Sequence, residues 1–284
     1  QDLGEFEVAV FADQGNYIRV FVPTNEYVRT YSNQFSTSLF LRPETVWRSE
    51  AGLKKLIARF SNQTIYKINR KTSFENDLQR FNPFVYEISD TSLVSISTNF
   101  RNTFYFNKSN SVFGLTYTYQ ENASKILLSN GFDSRLNTSH EGQLRWNLSK
   151  KLSLRVASTL GRKKSNSDYT IGRDYFIEYY DVAPEISYQP NTAIRLAINT
   201  KYSEKENQSE LKEAAKIKDI GIETRINQAQ KGSLTGRLNF IQIDYNASQN
   251  SSLAFEMLEG LQPGNNFTWG LTYQRKVAKN LQIN

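Results

Sequence analysis

Val94-Ser95-Ile96-Ser97-Thr98-Asn99-Phe100-Arg101-Asn102-Thr103-Phe104-Tyr105-Phe106 reads with a period of two, and that reading decides the fold. Val94, Ile96, Thr98, Phe100, Asn102, Phe104 and Phe106 fall on one side of an extended chain. Ser95, Ser97, Asn99, Arg101, Thr103 and Tyr105 fall on the other. Successive side chains of a strand point to opposite faces, so this is a long strand with one apolar and one polar face. A short Asn107-Lys108-Ser109-Asn110 link leads into Phe113, Leu115, Tyr117 and Tyr119, interleaved with Gly114, Thr116, Thr118 and Gln120. Two such runs joined by so few residues predict an antiparallel hairpin.

The pattern recurs outward from there. Leu144, Trp146 and Leu148 turn through Ser149-Lys150-Lys151 into Leu152, Leu154 and Val156, and Ile186 and Tyr188 turn through Gln189-Pro190-Asn191 into Ile194, Leu196 and Ile198. Ile220, Ile222, Thr224 and Ile226 form a further face, as do Phe267, Trp269, Leu271 and Tyr273. Leu234, Leu238 and Phe240 keep one parity while Ile241, Ile243 and Tyr245 take the other, which predicts a β-bulge at Phe240-Ile241. On the N-terminal side, Phe6-Val8-Val10, Ile18-Val20-Val22 and Phe35-Thr37-Leu39-Leu41 also read as strands. Longer polar links are expected from Asn122 to Glu141, Lys163 to Arg173 and Glu204 to Lys218, and Pro263-Gly264 marks a turn.

One stretch departs from period two. Between Pro43 and Phe60, the residues Trp47, Leu53, Leu56, Ile57 and Phe60 recur at spacings of three and four, which predicts a short amphipathic helix. The organisation expected is therefore 1–42 as leading strands, 43–60 as a helix and 61–284 as the main meander.

Composition narrows the fold class. The chain of 284 residues holds 16 Tyr and 18 Phe, yet only 38% of its residues are hydrophobic and its mean hydropathy is −0.58. A transmembrane barrel shows one apolar face and keeps a polar interior, so its average resembles that of a water-soluble protein. No run of eighteen apolar residues offers a transmembrane helix. Cys is absent, which excludes disulfides, thiolate metal sites and cysteine nucleophiles. The charge of +7 is dispersed along the chain, unlike the clustered basic patch of a nucleic-acid binder, so no nucleic-acid partner is expected.

Little in the sequence points to catalysis. His140 is the sole histidine and falls in an expected loop; no Gly-x-Ser-x-Gly elbow accompanies it. Glu204 with Glu206, and Glu256 with Glu259, are acidic pairs whose ordinary role is solvated charge. No catalytic, cofactor or metal residue is assigned. The positions singled out are architectural. Arg145, Arg155, Arg195, Glu223, Arg225 and Arg237 lie opposite the apolar positions of their strands, alongside Glu185, and are candidate lumen-facing charges. They would serve either as a salt-bridge lattice or as an anion path. Tyr175, Tyr179, Tyr188, Tyr202, Trp269 and Tyr273 are candidate aromatics of a membrane girdle.

Asp244-Tyr245-Asn246-Ala247, Phe255 through Asn266, and Trp269-Gly270-Leu271-Thr272-Tyr273-Gln274-Arg275 resemble the C-terminal barrel region of large outer-membrane proteins of Bacteroidota. Glu5 to Ala9 and Asn16 to Phe21 resemble the stretch entering that region. The resemblance implies an outer-membrane location, contact with lipid and lipopolysaccharide, association with other outer-membrane subunits, and further strands beyond Asn284. The expected fold is thus an all-β antiparallel transmembrane β-barrel meander of roughly fourteen strands, standing as an incomplete part of a larger barrel. The expected function is a pore or transport component, or a subunit of an export or assembly complex. The alternative is a soluble secreted β-sandwich of the binding or adhesion kind.

Overall fold

The computed structural model describes residues 27–73, 82–84, 92–128, 131–168, 174–209, 212–228, 232–278 and 281–283. The described chain is all-β apart from three short helices. In order it forms β1 (Tyr31–Leu41), α1 (Glu44–Trp47), α2 (Leu53–Ile57), β2 (Phe60–Thr72), β3 (Leu93–Phe106), β4 (Phe113–Leu128), β5 (Gly131–Asn147) and β6 (Leu152–Ser167). There follow β7 (Tyr175–Tyr188), β8 (Ile194–Asn207), β9 (Ala214–Gln228), β10 (Gly232–Tyr245), α3 (Ala254–Leu258), β11 (Gly264–Ala278) and β12 (Leu281–Ile283). Each strand pairs antiparallel with its predecessor in one continuous meander. Strands β3 to β11 run 14 to 17 residues, well beyond the five or six common in globular sheets.

Register turns the period-two signal into a surface. Directly paired residues share a face, and one row crosses eight strands as Phe113, Trp146, Leu154, Ile186, Ile198, Ile222, Leu238 and Trp269. The rows beside it hold Leu115, Leu144, Val156, Ile220, Phe240 and Phe267 on one flank, and Leu152, Tyr188, Leu196 and Leu271 on the other. A one-residue slip at any strand would throw its apolar set to the other face, so this continuity fixes the register.

Three links prove shorter than their polar composition suggests. β4 and β5 extend to Leu128 and from Gly131, β6 extends to Ser167, and β8 and β9 leave only the interval between Asn207 and Ala214. Beyond the apolar rows both faces turn polar, so alternation is lost from the sequence while the ladder of backbone bonds continues. His140 accordingly sits within β5, not in a loop. The bulge expected at Phe240-Ile241 is also absent, because β10 pairs without a shift against both β9 and β11 through Ile243. The amphipathic stretch 43–60 forms two short helices separated at Gly52, whose φ of 64° breaks the helical path. Neither helix buries a residue.

The strand count corrects the expected fourteen. Eleven long strands and the three-residue β12 are described, and the runs at Phe6-Val10 and Ile18-Val22 lie outside the described residues. Among the described residues β1 and β12 pair with their sequence neighbours alone, so the sheet is not closed.

Candidate functional site: two faces and a folded link

The apolar face is exposed where a water-soluble protein would cover it. Leu160, Ile186, Ile198, Ile220, Leu238, Phe267 and Trp269 are all at least half exposed. The apolar rows of β7 run from Tyr180 to Tyr188, nine residues that span about 26 Å along the strand at about 3.3 Å each. At a tilt of about 40° this is roughly 20 Å of height, against the apolar band of about 25 Å in transmembrane barrels. Past Tyr180 the same face carries Glu178, bonded to Arg162 at 3.0 Å, and in the row of Tyr180 itself β8 carries Glu204, paired with Lys216 at 3.1 Å. The apolar rows thus form a bounded belt with a charged margin at one end.

Of the aromatics singled out by sequence, some stand on this face and some do not. Tyr188, Tyr202, Trp269 and Tyr273 stand on the apolar face, together with Tyr117, Trp146 and Tyr180. Tyr175 and Tyr179 stand on the opposite face, since β7 places Phe176, Glu178 and Tyr180 on the apolar side. Tyr179 lies across its partner Gly161; a Cβ built there would meet the tyrosine ring at 2.2 Å. Glycine makes room for the ring, and the ring covers the backbone that glycine leaves bare. Parity through β7 carries the placement of both tyrosines, and proximity to strand ends misses it.

His140 faces the apolar side, where its Nδ1 lies 2.7 Å from the Tyr117 hydroxyl and its ring packs 5.0 Å from that of Tyr119. This is an aromatic cluster on a strand, and among the described residues no carboxylate bonds to the imidazole.

The polar face gathers the candidate charges into one lattice. Arg155 reaches Glu185 at 3.8 Å, and Arg195 bonds the same carboxylate at 2.8 Å while approaching Glu223 at 4.0 Å. Glu223 also meets Arg225 at 3.6 Å and Arg237 at 2.8 Å. Two carboxylates therefore bridge four guanidinium groups across β6 to β10, leaving a cationic excess. Arg145 stands apart, donating at 2.6 Å to the backbone oxygen of Asn110 across Gly114. Arg155, Arg225 and Arg237 are each more than a third exposed. Pairs of that kind contribute about 0–1 kcal/mol each, so the lattice determines charge and side-chain position more than stability.

Further along the polar face, toward the end of β10, the surface becomes apolar and is covered. Ile177, Ala215, Ile217, Ile241 and Ile243 project from β7, β9 and β10 and pack against Leu253, Ala254, Met257 and Leu258. The covering residues belong to the link between β10 and β11, which folds back onto the sheet through α3. Met257 and Leu258 are almost wholly buried, and burial of each side chain contributes about 1.5–3 kcal/mol. Charge seals the margins: Lys163 bonds Glu256 at 3.0 Å, while Lys201 and Lys205 converge on Glu259 at 2.8 and 3.0 Å. The buried Glu213 carboxylate accepts bonds from Tyr245 and Ser251, both at 2.6 Å, tying the β8–β9 turn to the link. Glu259 adopts the left-handed conformation at φ 56° and Gly260 follows at 78°, which ends α3 and turns the chain back toward β11.

This folded link is what sequence reasoning missed. Its signal is the parity change at Ile241, Ile243 and Tyr245, together with Leu253-Met257 and Ala254-Leu258 at the helical spacing of four. The acidic pairs also find partners here: Glu256 and Glu259 are taken by lysines, as is Glu204 on the opposite face. Groups of three or more metal-ligating side chains do not occur among the described residues. Compared with models of known protein families and with curated proteins, the chain matches none.

Proposed function

We propose that this chain is part of the wall of a bacterial outer-membrane β-barrel, of the kind found in Bacteroidota, and acts as a transport component or as a subunit of an export or assembly complex. The exposed apolar belt carries the reading. In water, so many contiguous apolar side chains would make an adhesive surface far larger than the few hundred Å² that soluble monomers expose. Against lipid the same surface is satisfied, and the charged rows beyond Tyr180 stand in the headgroup region and above it. The polar face then lines the lumen, with its cationic lattice near the short turns and the α3 link narrowing the passage near the opposite mouth. We assign the chain no catalytic role.

Closure belongs to the proposal. An open strand edge in hydrocarbon leaves unpaired backbone groups at a cost of several kcal/mol each. We infer that strands outside the described sheet, including strands of another outer-membrane subunit, complete the ring. The β-sandwich alternative needs a second apolar layer over the belt, and the described residues supply none.

Extraction tests the reading. The chain is expected to need detergent to stay monodisperse, and to migrate faster in a cold detergent gel than after boiling. A chain that remains monodisperse in plain buffer sinks the barrel and restores the sandwich.

A further inference from the structure

Residues 42–59 join β1 to β2 at the short-turn end of the sheet, and they differ from the neighbouring turns in length and in chemistry. The link leaves the belt at Leu41 and rejoins it at Phe60, both about half exposed. Between these points Val46, Leu53 and Leu56 project from α1 and α2, also half exposed or more. Beside them lies an open cavity of about 920 Å³, lined by Arg42, Arg48, Lys55, Arg59 and Lys108 with Glu44 as its acidic member. Glu44 accepts a 2.9 Å hydrogen bond from Ser109, which fixes it against the β3–β4 turn. Among the described residues none of the five cations forms an ion pair, in contrast to the bridged arginines of the polar face. Arg42 and Lys108 rest instead over the rings of Phe40 and Tyr105, at 5.3 and 4.0 Å.

We propose that this link binds the phosphate headgroups of anionic phospholipids in the leaflet that borders the short-turn end of the barrel. The inference rests on the membrane reading given above. Apolar side chains beside unpaired cations are the signature of a segment lying in the interface, its carbon inserted and its charge toward the headgroups. The position agrees, because a link that departs from and returns to the belt must lie at the belt's edge. Clustered Lys and Arg at that level attract anionic lipid, and guanidinium groups match phosphate oxygens with two parallel hydrogen bonds. Glu44 is held by Ser109 and leaves the cavity strongly cationic.

The test uses the full chain in neutral detergent, titrated with phosphatidylglycerol or phosphatidylcholine and read by native mass spectrometry as lipid retained. Phosphatidylglycerol is expected to be retained about tenfold better, and the triple variant Arg48→Ala, Lys55→Ala, Arg59→Ala to lose that preference. The charge-conserving pair Arg48→Lys, Arg59→Lys is expected to keep most of it. If the triple variant does not fold, Lys55→Gln alone is expected to lower the preference about threefold. Equal retention of the two lipids, or a preference that survives the neutral variants, overturns the proposal. So does displacement of phosphatidylglycerol by millimolar inorganic phosphate but not by chloride of equal ionic strength, which would assign the cavity to a free anion. A chain that needs no detergent removes the barrel itself, whereas a detergent-dependent chain without lipid preference removes this inference alone.

Discussion

Ile222 and Ile243 sit on adjacent strands, β9 and β10, and carry the same side chain, yet Ile222 is 51% exposed and Ile243 is 1% exposed. Ile222 belongs to a row that no layer of the described residues covers, while Ile243 lies beneath Met257 and Leu258 in the packed cluster formed with α3. One sheet thus carries two solutions to apolar surface. On the polar face the chain folds its own link over the isoleucines, as any water-soluble core would require. On the other face the described residues leave a belt bare, and that exposure is the observation behind the membrane proposal. The contrast between the two faces is therefore one between uncovered and covered apolar surface.

Truncating the covered side is expected to give the largest effect. Met257 of α3 is fully buried against the isoleucines of β9 and β10, and Met257→Ala leaves a cavity there costing about 2–5 kcal/mol. The loss is expected locally: amide exchange should accelerate through residues 253–261 and at Ile241 and Ile243, while β3 to β6 keep their protection. Uniform loss across the sheet would mean that the link is part of a single cooperative core instead of a separately docked segment.

The belt should respond to charge according to its surroundings. Ile222→Arg places a guanidinium in the middle of the apolar rows, where it costs about 2–4 kcal/mol if the row faces the bilayer midplane. The same change at a water-facing position would cost little. Reversible unfolding from lipid vesicles distinguishes these outcomes, and a change below about 0.5 kcal/mol would remove the contrast between the faces.

The two regions also differ in how legible they are from sequence. The belt is local information, since alternation in β3, β4, β6, β8 and β11 assigns each residue its face and short turns assign each strand its neighbour. The candidate charges followed from the same parity, and Glu185 and Glu223 lie among those arginines because paired strands place them there. Proximity to a strand end points to Tyr175 and Tyr179 as girdle residues, whereas parity through β7 puts them on the face opposite the belt. The folded link is different in kind, for Lys163, Lys201 and Lys205 lie 93, 58 and 54 residues from their glutamate partners. Nothing in the local pattern states that this segment turns inward. The parity change at Ile241 is its trace, and in the sequence alone a bulge accounts for that change equally well.

The smallest effect expected concerns the margin of the covered region, where charge takes over from packing. Partial burial opposes the charge on Glu259, but the bond from Lys201 and the nearby charge of Lys205 outweigh it and hold the carboxyl below its ordinary range. A depressed folded value means that the contribution to docking is complete above the unfolded value of about 4.3, and is lost as pH falls through the folded value. Lys201 and Lys205 approach Glu259 from β8, with Lys163 and Glu256 beside them. Proteolysis of residues 253–261 should therefore be slow and flat at neutral pH and rise only in acid. Glu259→Gln should lose most of that acid dependence and give a faster baseline at pH 7, with a smaller change than Met257→Ala because the pairs are partly exposed. An acid profile unchanged in Glu259→Gln would assign the pH response to other carboxylates and leave packing by Met257 and Leu258 as what holds the link.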